Sequence, residues 1–159
     1  MPAPSLVSVA EERSLPVDPD VSPFAVAASR PRTWDIALVI AVGGAIGGAA
    51  RYLLSLGLAA DGFPWATLVE NVTGCFLLGA LMVFLLDVWR PSRYLRPFLG
   101  VGVLGGFTTF SAYTAETRGL LLEGRVPVAL LYLFGSVIAG LLATWLGIAL
   151  ARTVLKEES

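Results

Sequence analysis

The stretch Gly102–Tyr113, "GVLGGFTTFSAY", interrupts an apolar segment that otherwise has the composition of a membrane helix. Gly105 and Gly106 weaken the helix near its middle. A break leaves free carbonyls at the end of the first half and free N–H groups at the start of the second, and lipid satisfies neither. The carbonyl end suits a cation and the N–H end an anion. The stretch therefore predicts an ion site, with a simple glycine kink as the alternative; the hydroxyl residues available to it are Thr108, Thr109 and Ser111.

The composition around this stretch is that of an integral membrane protein. Hydrophobic residues make up 56% of the 159-residue chain and charged residues only 14%, whereas a soluble domain has about 25% charged residues. Four apolar stretches of about 25 residues, each long enough for a ~30 Å hydrocarbon core, follow one another with short links. They are Trp34–Leu58, Pro64–Val88, Leu95–Leu122 and Val126–Ala151. We therefore predict an all-α membrane protein with four transmembrane helices, the third of them broken.

The four stretches define a transmembrane domain, residues 33–152, between two polar segments. Residues 1–32 are rich in proline and acidic residues and lack helical or strand periodicity, which predicts a disordered N-terminal tail. Residues 153–159 form a short polar C-terminal tail. Seven basic residues near the spans lie on the side of the termini and three on the opposite side. This bias predicts that the termini of the multi-pass protein are cytoplasmic. The expected location is the cell inner (plasma) membrane.

The first span contains a candidate helix-packing face and one arginine. Its glycines form two interleaved pairs with a spacing of four residues, which lets helix backbones approach closely. These are Gly43, Gly44, Gly47 and Gly48. Arg51 follows them and either extends to the membrane interface, as terminal arginines commonly do, or attracts an anion.

The second span places an amide and a carboxyl group at membrane depth. Asn71 can donate two hydrogen bonds to an anion, or it can bond to a neighbouring helix. Glu70 points about 100° away from Asn71 on an ideal helix. It is expected to be either protonated or paired with an arginine.

Aromatic and hydroxyl side chains repeat along single helix faces in the last two spans. Phe110 and Tyr113 are three residues apart, so their ring edges can line an anion path, although such pairs more commonly pack a core. Tyr132 and Ser136 are four residues apart and form a short polar track, unless Ser136 bonds to its own helix backbone. The chain has no histidine to activate Cys75, so we expect no enzyme.

Three motifs in order make the chain resemble the Fluc (CrcB) family of fluoride channels: "GGAIGGAARY", "ATLVENVTGCFLLG" and "GGFTTFSAY". The resemblance covers about residues 36–151 and implies passive fluoride efflux that protects against fluoride toxicity. It also implies an antiparallel dimer with a central structural Na+ held by the backbone carbonyls of Gly105 and Thr108. By motif position the fluoride pathway would include these residues: Asn71, Phe110, Tyr113, Tyr132 and Ser136, with Thr109, Ser111, Glu116 and Arg51 at further pore-associated positions.

The chain departs from the family pattern at three positions. Tyr113 replaces the usual phenylalanine, Glu70 replaces an apolar residue, and Gly140 shortens the polar track. These departures, together with the charge bias, leave open a homodimer or a heterodimer with an oppositely oriented paralogue. A small multidrug-type proton-coupled exporter, with Glu70 as its carboxylate, is the alternative function, and a non-conducting structural subunit is a third option.

Overall fold

Four apolar helical spans form the computed structural model, which describes residues 33–58, 62–88 and 92–157. The spans are Trp34–Gly57, Trp65–Leu86, Pro97–Leu122 and Val126–Lys156. No strand occurs in these three ranges. The prediction of an all-α membrane protein with four spans is therefore confirmed, while the predicted tail, residues 1–32, lies outside the described residues.

The helices begin and end close to the predicted limits, with one exception at the C-terminus. The last helix continues through Glu157, beyond the predicted domain end at residue 152, because no proline or glycine follows Ala151 and Lys156 suits the negative end of the helix dipole. The α-helices are α1 (Thr33–Gly57), α2 (Trp65–Val83), α3 (Leu104–Phe107), α4 (Phe110–Leu122) and α5 (Val126–Glu157). A π-helical segment at Phe84–Val88 extends α2, and a second one at Pro97–Val103 precedes α3.

Glycines bring α1 into backbone contact with the third span. A β-carbon at Gly43 would lie 2.6 Å from the Phe98 carbonyl oxygen, and one at Gly47 would collide with the Val103 carbonyl. Gly106 packs against the Gly44 backbone in the same way. Gly48 does not belong to this face, because a β-carbon there would meet nothing within 4 Å in the described chain. Gly48 lies on another side of the helix, so its predicted packing contact, which was expected either within the chain or with a partner, stays a prediction.

A second glycine contact, which we did not predict, joins α2 to α5. Gly79 faces the Thr144 backbone, and Gly147 faces the Phe76 carbonyl. A β-carbon at Gly140 would lie 3.2 Å from the Cys75 sulfur. Gly140 therefore packs the helix pair, which gives a structural reason for a glycine at this position of the polar track.

The third span is interrupted at Thr108 and Thr109 rather than at the glycine pair. Both threonines have extended backbone angles, φ −84° and ψ 154° at Thr108 and φ −144° and ψ 122° at Thr109. Gly105 and Gly106 remain helical in α3. Gly106 therefore serves close helix packing. The position of the interruption depends on the hydrogen bonds between the Asn71 side chain and the Thr109 backbone.

Candidate functional site

An open groove of about 380 Å³ surrounds the interruption in the third span. Its wall is mostly apolar, and the amide and hydroxyl side chains in it lie at a depth where lipid offers no hydrogen bonds. Six of the predicted site residues line it: Asn71, Gly105, Thr108, Thr109, Tyr113 and Ser136. Phe110 lies at the edge of the groove, and 79% of this residue is exposed. The structure thus brings together seven of the predicted residues from α2, the third span and α5.

Asn71 and Thr109 are joined by a reciprocal pair of hydrogen bonds. The Asn71 side-chain amide donates to the Thr109 carbonyl at 2.9 Å, and the Thr109 N–H donates to the Asn71 Oδ1 at 2.8 Å. The asparagine side chain therefore replaces the helical acceptor that the Thr109 N–H loses at the interruption. It also adds a donor to the Thr109 carbonyl, which as the N-cap carbonyl already accepts the first hydrogen bond of the following helix. One Asn71 N–H donor is used in this way, which leaves the other for an anion.

Thr109 also caps the N-terminus of α4. Its side-chain oxygen accepts a hydrogen bond from the Ala112 N–H at 3.2 Å and lies 3.2 Å from the Ser111 hydroxyl. Capping uses one of the free N–H groups of the first turn, while the remaining groups give this end a partial positive charge. The predicted role of Ser111 stays a prediction, since its side chain is exposed and faces the cap rather than the groove.

Aromatic rings form a continuous row from the groove to the start of α2. The ring centroids of Phe110 and Tyr113 are 5.8 Å apart, and those of Tyr113 and Tyr132 are 5.3 Å apart. Phe63 meets Tyr132 edge-on at 5.5 Å. Tyr113 and Tyr132 are also part of the buried core, so these rings pack the fold as well as border the groove.

Glu116 lies beyond this row, at a second cavity of about 340 Å³ that it shares with Glu123 and Arg125. Its carboxylate accepts hydrogen bonds from Thr67 at 2.8 Å and from the Tyr132 hydroxyl at 2.7 Å. Thr67 was not among the predicted site residues. Its position one helical turn before Asn71 is the signal in the sequence that points to it.

The predicted polar track divides between the two cavities. Tyr132 is 1% exposed and donates to Glu116, whereas Ser136 lines the groove. The Ser136 hydroxyl oxygen is buried and has no hydrogen-bond partner among the described residues. The alternative in which Ser136 bonds to its own backbone is therefore wrong in this structure, and its hydroxyl is available to a ligand in the groove.

Arg51 lies outside the groove and contacts the third span from the side of α1. Its Nε donates to the Gly106 carbonyl at 3.3 Å. The guanidinium is therefore held by a backbone carbonyl and does not line the groove. It places a positive charge next to the backbone of α3.

The Tyr113 hydroxyl donates to the Leu133 carbonyl at 2.6 Å, so it is directed at α5 and is occupied. We expect Tyr113→Phe to change anion flux by less than about threefold and to lower stability by about 1 kcal/mol, the usual worth of one hydrogen bond. Flux assays and thermal unfolding measure the two effects. Tyr52→Phe, on an exposed tyrosine of α1, is the matched control. Loss of flux in Tyr113→Phe alone would mean that the hydroxyl serves the anion.

Comparison with known proteins agrees with the motifs. Residues 38–148 match the model of the CrcB-like protein family, described as Camphor Resistance (CrcB). The chain is 47% identical to "Fluoride-specific ion channel FluC 1" of Streptomyces coelicolor over 76% of this chain and 80% of that protein. It is 51% identical to "Fluoride-specific ion channel FluC 2" of Nocardia farcinica over 74% and 85%. It is 48% identical to "Fluoride-specific ion channel FluC" of Geobacter sulfurreducens over 72% and 95%. The chain therefore belongs to the CrcB-like family.

Proposed function

We propose that this chain is a fluoride-selective ion channel that lets fluoride leave the cell passively. The observation that carries the proposal is the groove at the interruption, whose mostly apolar wall holds a few neutral donors at membrane depth. Fluoride is small and holds water strongly, so its dehydration requires several donors close together. The Asn71 amide, the Ser136 hydroxyl and the start of α4 are such donors, and as neutral groups they bind an anion without the strong attraction of a lysine.

The names of the relatives favour a channel over the alternative of a proton-coupled exporter. Each relative described above is called a fluoride-specific ion channel. Glu70, the carboxylate that an exporter would need, does not line the groove. An ion channel is not an enzyme, in agreement with the expectation from the sequence. Passive efflux would protect the cell, because fluoride that enters as HF ionises inside and requires an exit.

The groove is open along one side, which supports an antiparallel dimer. Gly105 and Phe110 are exposed in the single chain, next to polar groups that lipid cannot satisfy. A second subunit in the opposite orientation would cover them. The partner is either another copy or a paralogue, and the bias of basic residues toward one side favours a fixed orientation for this chain in the inner membrane, with cytoplasmic termini.

A central sodium ion is the second part of the proposal, and the oxygen atoms at the interruption fit it. The Thr109 N–H donates to Asn71, so the Gly105 carbonyl loses its helical donor. The Ala112 N–H donates to the Thr109 hydroxyl, so the Thr108 carbonyl loses its donor as well. Neutral carbonyl oxygens suit a hard monovalent cation, and one chain supplies only part of a coordination shell. Gly105 and Thr108 would hold Na+ together with the partner subunit.

Fluoride efflux from liposomes that contain only the purified chain tests the proposal. We expect rapid efflux at a fluoride electrode, no chloride efflux, and loss of flux when N-methylglucamine replaces sodium throughout. Efflux that appears only after co-expression with a paralogue would establish a heterodimer. Absence of efflux from the folded, inserted protein under both conditions would contradict the channel function.

A further inference from the structure

Glu70 is a buried carboxyl group that the proposed pathway does not use. It lies in α2 at membrane depth and is 2% exposed. Its Oε1 atom has no hydrogen-bond partner in the described part of the chain. Buried carboxylates are normally paired, because an ionised group without a donor is costly to hold away from water. This group therefore requires an explanation other than fold stability.

The position of Glu70 connects it to the interruption of the third span. The next residue, Asn71, pairs with Thr109, and the residue one turn earlier, Thr67, donates to Glu116. Gly74, one turn later, packs against the Thr108 side chain. Glu70 thus belongs to the buried face of α2 that packs against the third span, between residues that hold the groove and the second cavity.

Two charged side chains act electrostatically on Glu70 from the neighbouring elements. They are Arg51 of α1 and Glu116 of α4. Glu116 already accepts two hydrogen bonds from hydroxyl groups. Arg51 donates to the Gly106 carbonyl, and no ion pair joins it to Glu70 among the described residues. When Glu70 is ionised, it and Arg51 thus carry opposite charges on two helices that both contact the third span, without a direct ion pair between them.

We propose that Glu70 is a proton-binding site whose protonation state controls fluoride passage through this subunit. The inference rests on the proposed channel function. When Glu70 is ionised, its charge offsets that of Arg51 and repels an anion from the adjacent groove, and this effect is strong because the local dielectric constant is low. When Glu70 is protonated, it no longer offsets the charge of Arg51, which then attracts fluoride more strongly. Acidification therefore increases flux.

The coupling between proton binding at Glu70 and fluoride binding in the groove acts in both directions. A proton that favours fluoride binding must itself be bound more tightly when fluoride is present. Conduction would then respond to the acidic conditions under which HF enters a cell fastest.

Fluoride efflux measured with equal pH on both sides, from about pH 5 to about pH 8, tests the inference on the full chain with its partner where one is required. In the wild type we expect flux to fall by about tenfold per pH unit above the titration midpoint, in proportion to the protonated fraction. Glu70→Gln should keep the high acid-side flux throughout. Asp35→Asn, the corresponding change at a partly exposed carboxyl group outside both cavities, should retain the wild-type profile. Protein-free liposomes give the background from HF permeation.

Two outcomes overturn the inference while the channel function stands: flux that does not depend on pH in the wild type, or an unchanged pH profile in Glu70→Gln. If no variant conducts, infrared titration of the reconstituted protein decides. A protonated-carboxyl band that titrates in the wild type and is missing from Glu70→Gln supports the proton site, and its absence from the wild type refutes it. Failure of the channel function is thus distinguished from failure of the proton site.

Discussion

An Asn71→Ala variant is expected to lose fluoride flux by about 100-fold. The substitution removes both hydrogen bonds between Asn71 and Thr109 and leaves the Thr109 N–H without a partner at membrane depth. Each unsatisfied backbone group costs about 1–3 kcal/mol, and about 1.4 kcal/mol corresponds to tenfold in rate. The interruption would lose its defined geometry, and the groove would lose an amide donor as well. Initial rates of efflux from liposomes measure the effect.

Two further variants separate the loss of the hydrogen-bond pair from a general effect of mutation in α2. Thr73→Ala changes an exposed residue of the same helix and should conduct like the wild type. Asn71→Asp keeps an acceptor for the Thr109 N–H but loses the donor to the Thr109 carbonyl and adds a negative charge. We expect it to fold better than Asn71→Ala and to conduct as poorly. Wild-type flux in Asn71→Ala would show that the pair does not hold the conducting structure.

A Gly47→Ala variant is expected to lose more than about 3 kcal/mol of stability, at the upper end of the range for overpacking. A methyl group there would collide with the Val103 carbonyl and the Phe107 N–H, and backbone atoms cannot move aside as a side chain does. Helix α1 would have to separate from the third span, which would also move Arg51 from Gly106. Thermal unfolding in detergent, followed by tryptophan fluorescence and size-exclusion chromatography, measures the loss.

The neighbouring glycine provides a matched control for this variant. Gly48→Ala introduces the same methyl group where nothing lies within 4 Å in the described chain. Alanine is favoured over glycine by about 1 kcal/mol in a helix, so Gly48→Ala should be neutral or slightly stabilising. Equal losses in both variants would contradict the packing face, and a loss confined to Gly48→Ala would place a partner subunit against that side of α1.

Much of the candidate site could be predicted before the structure was known. Seven predicted residues line or border the groove, because membrane helices tolerate polar side chains only where they face protein, water or ions. The sequence did not indicate that Gly48 lies outside the contact of α1 with the third span, or that the interruption falls at Thr108 and Thr109. Both depend on contacts between spans, and the spacing of glycines along one helix does not indicate which side of that helix a neighbour occupies.

The amino-acid sequence alone determined the class, the four spans and the family, because hydropathy, span length and three local motifs are properties of continuous segments. Only the tertiary structure decided how the polar groups are paired. The bonds of Asn71 to Thr109, of Glu116 to Thr67 and Tyr132, and of Arg51 to Gly106 join residues distant in the chain. Such partners are selected by the packing of whole helices. In the described part of the chain, the same packing leaves Glu70 and Ser136 each with a buried oxygen that has no hydrogen-bond partner.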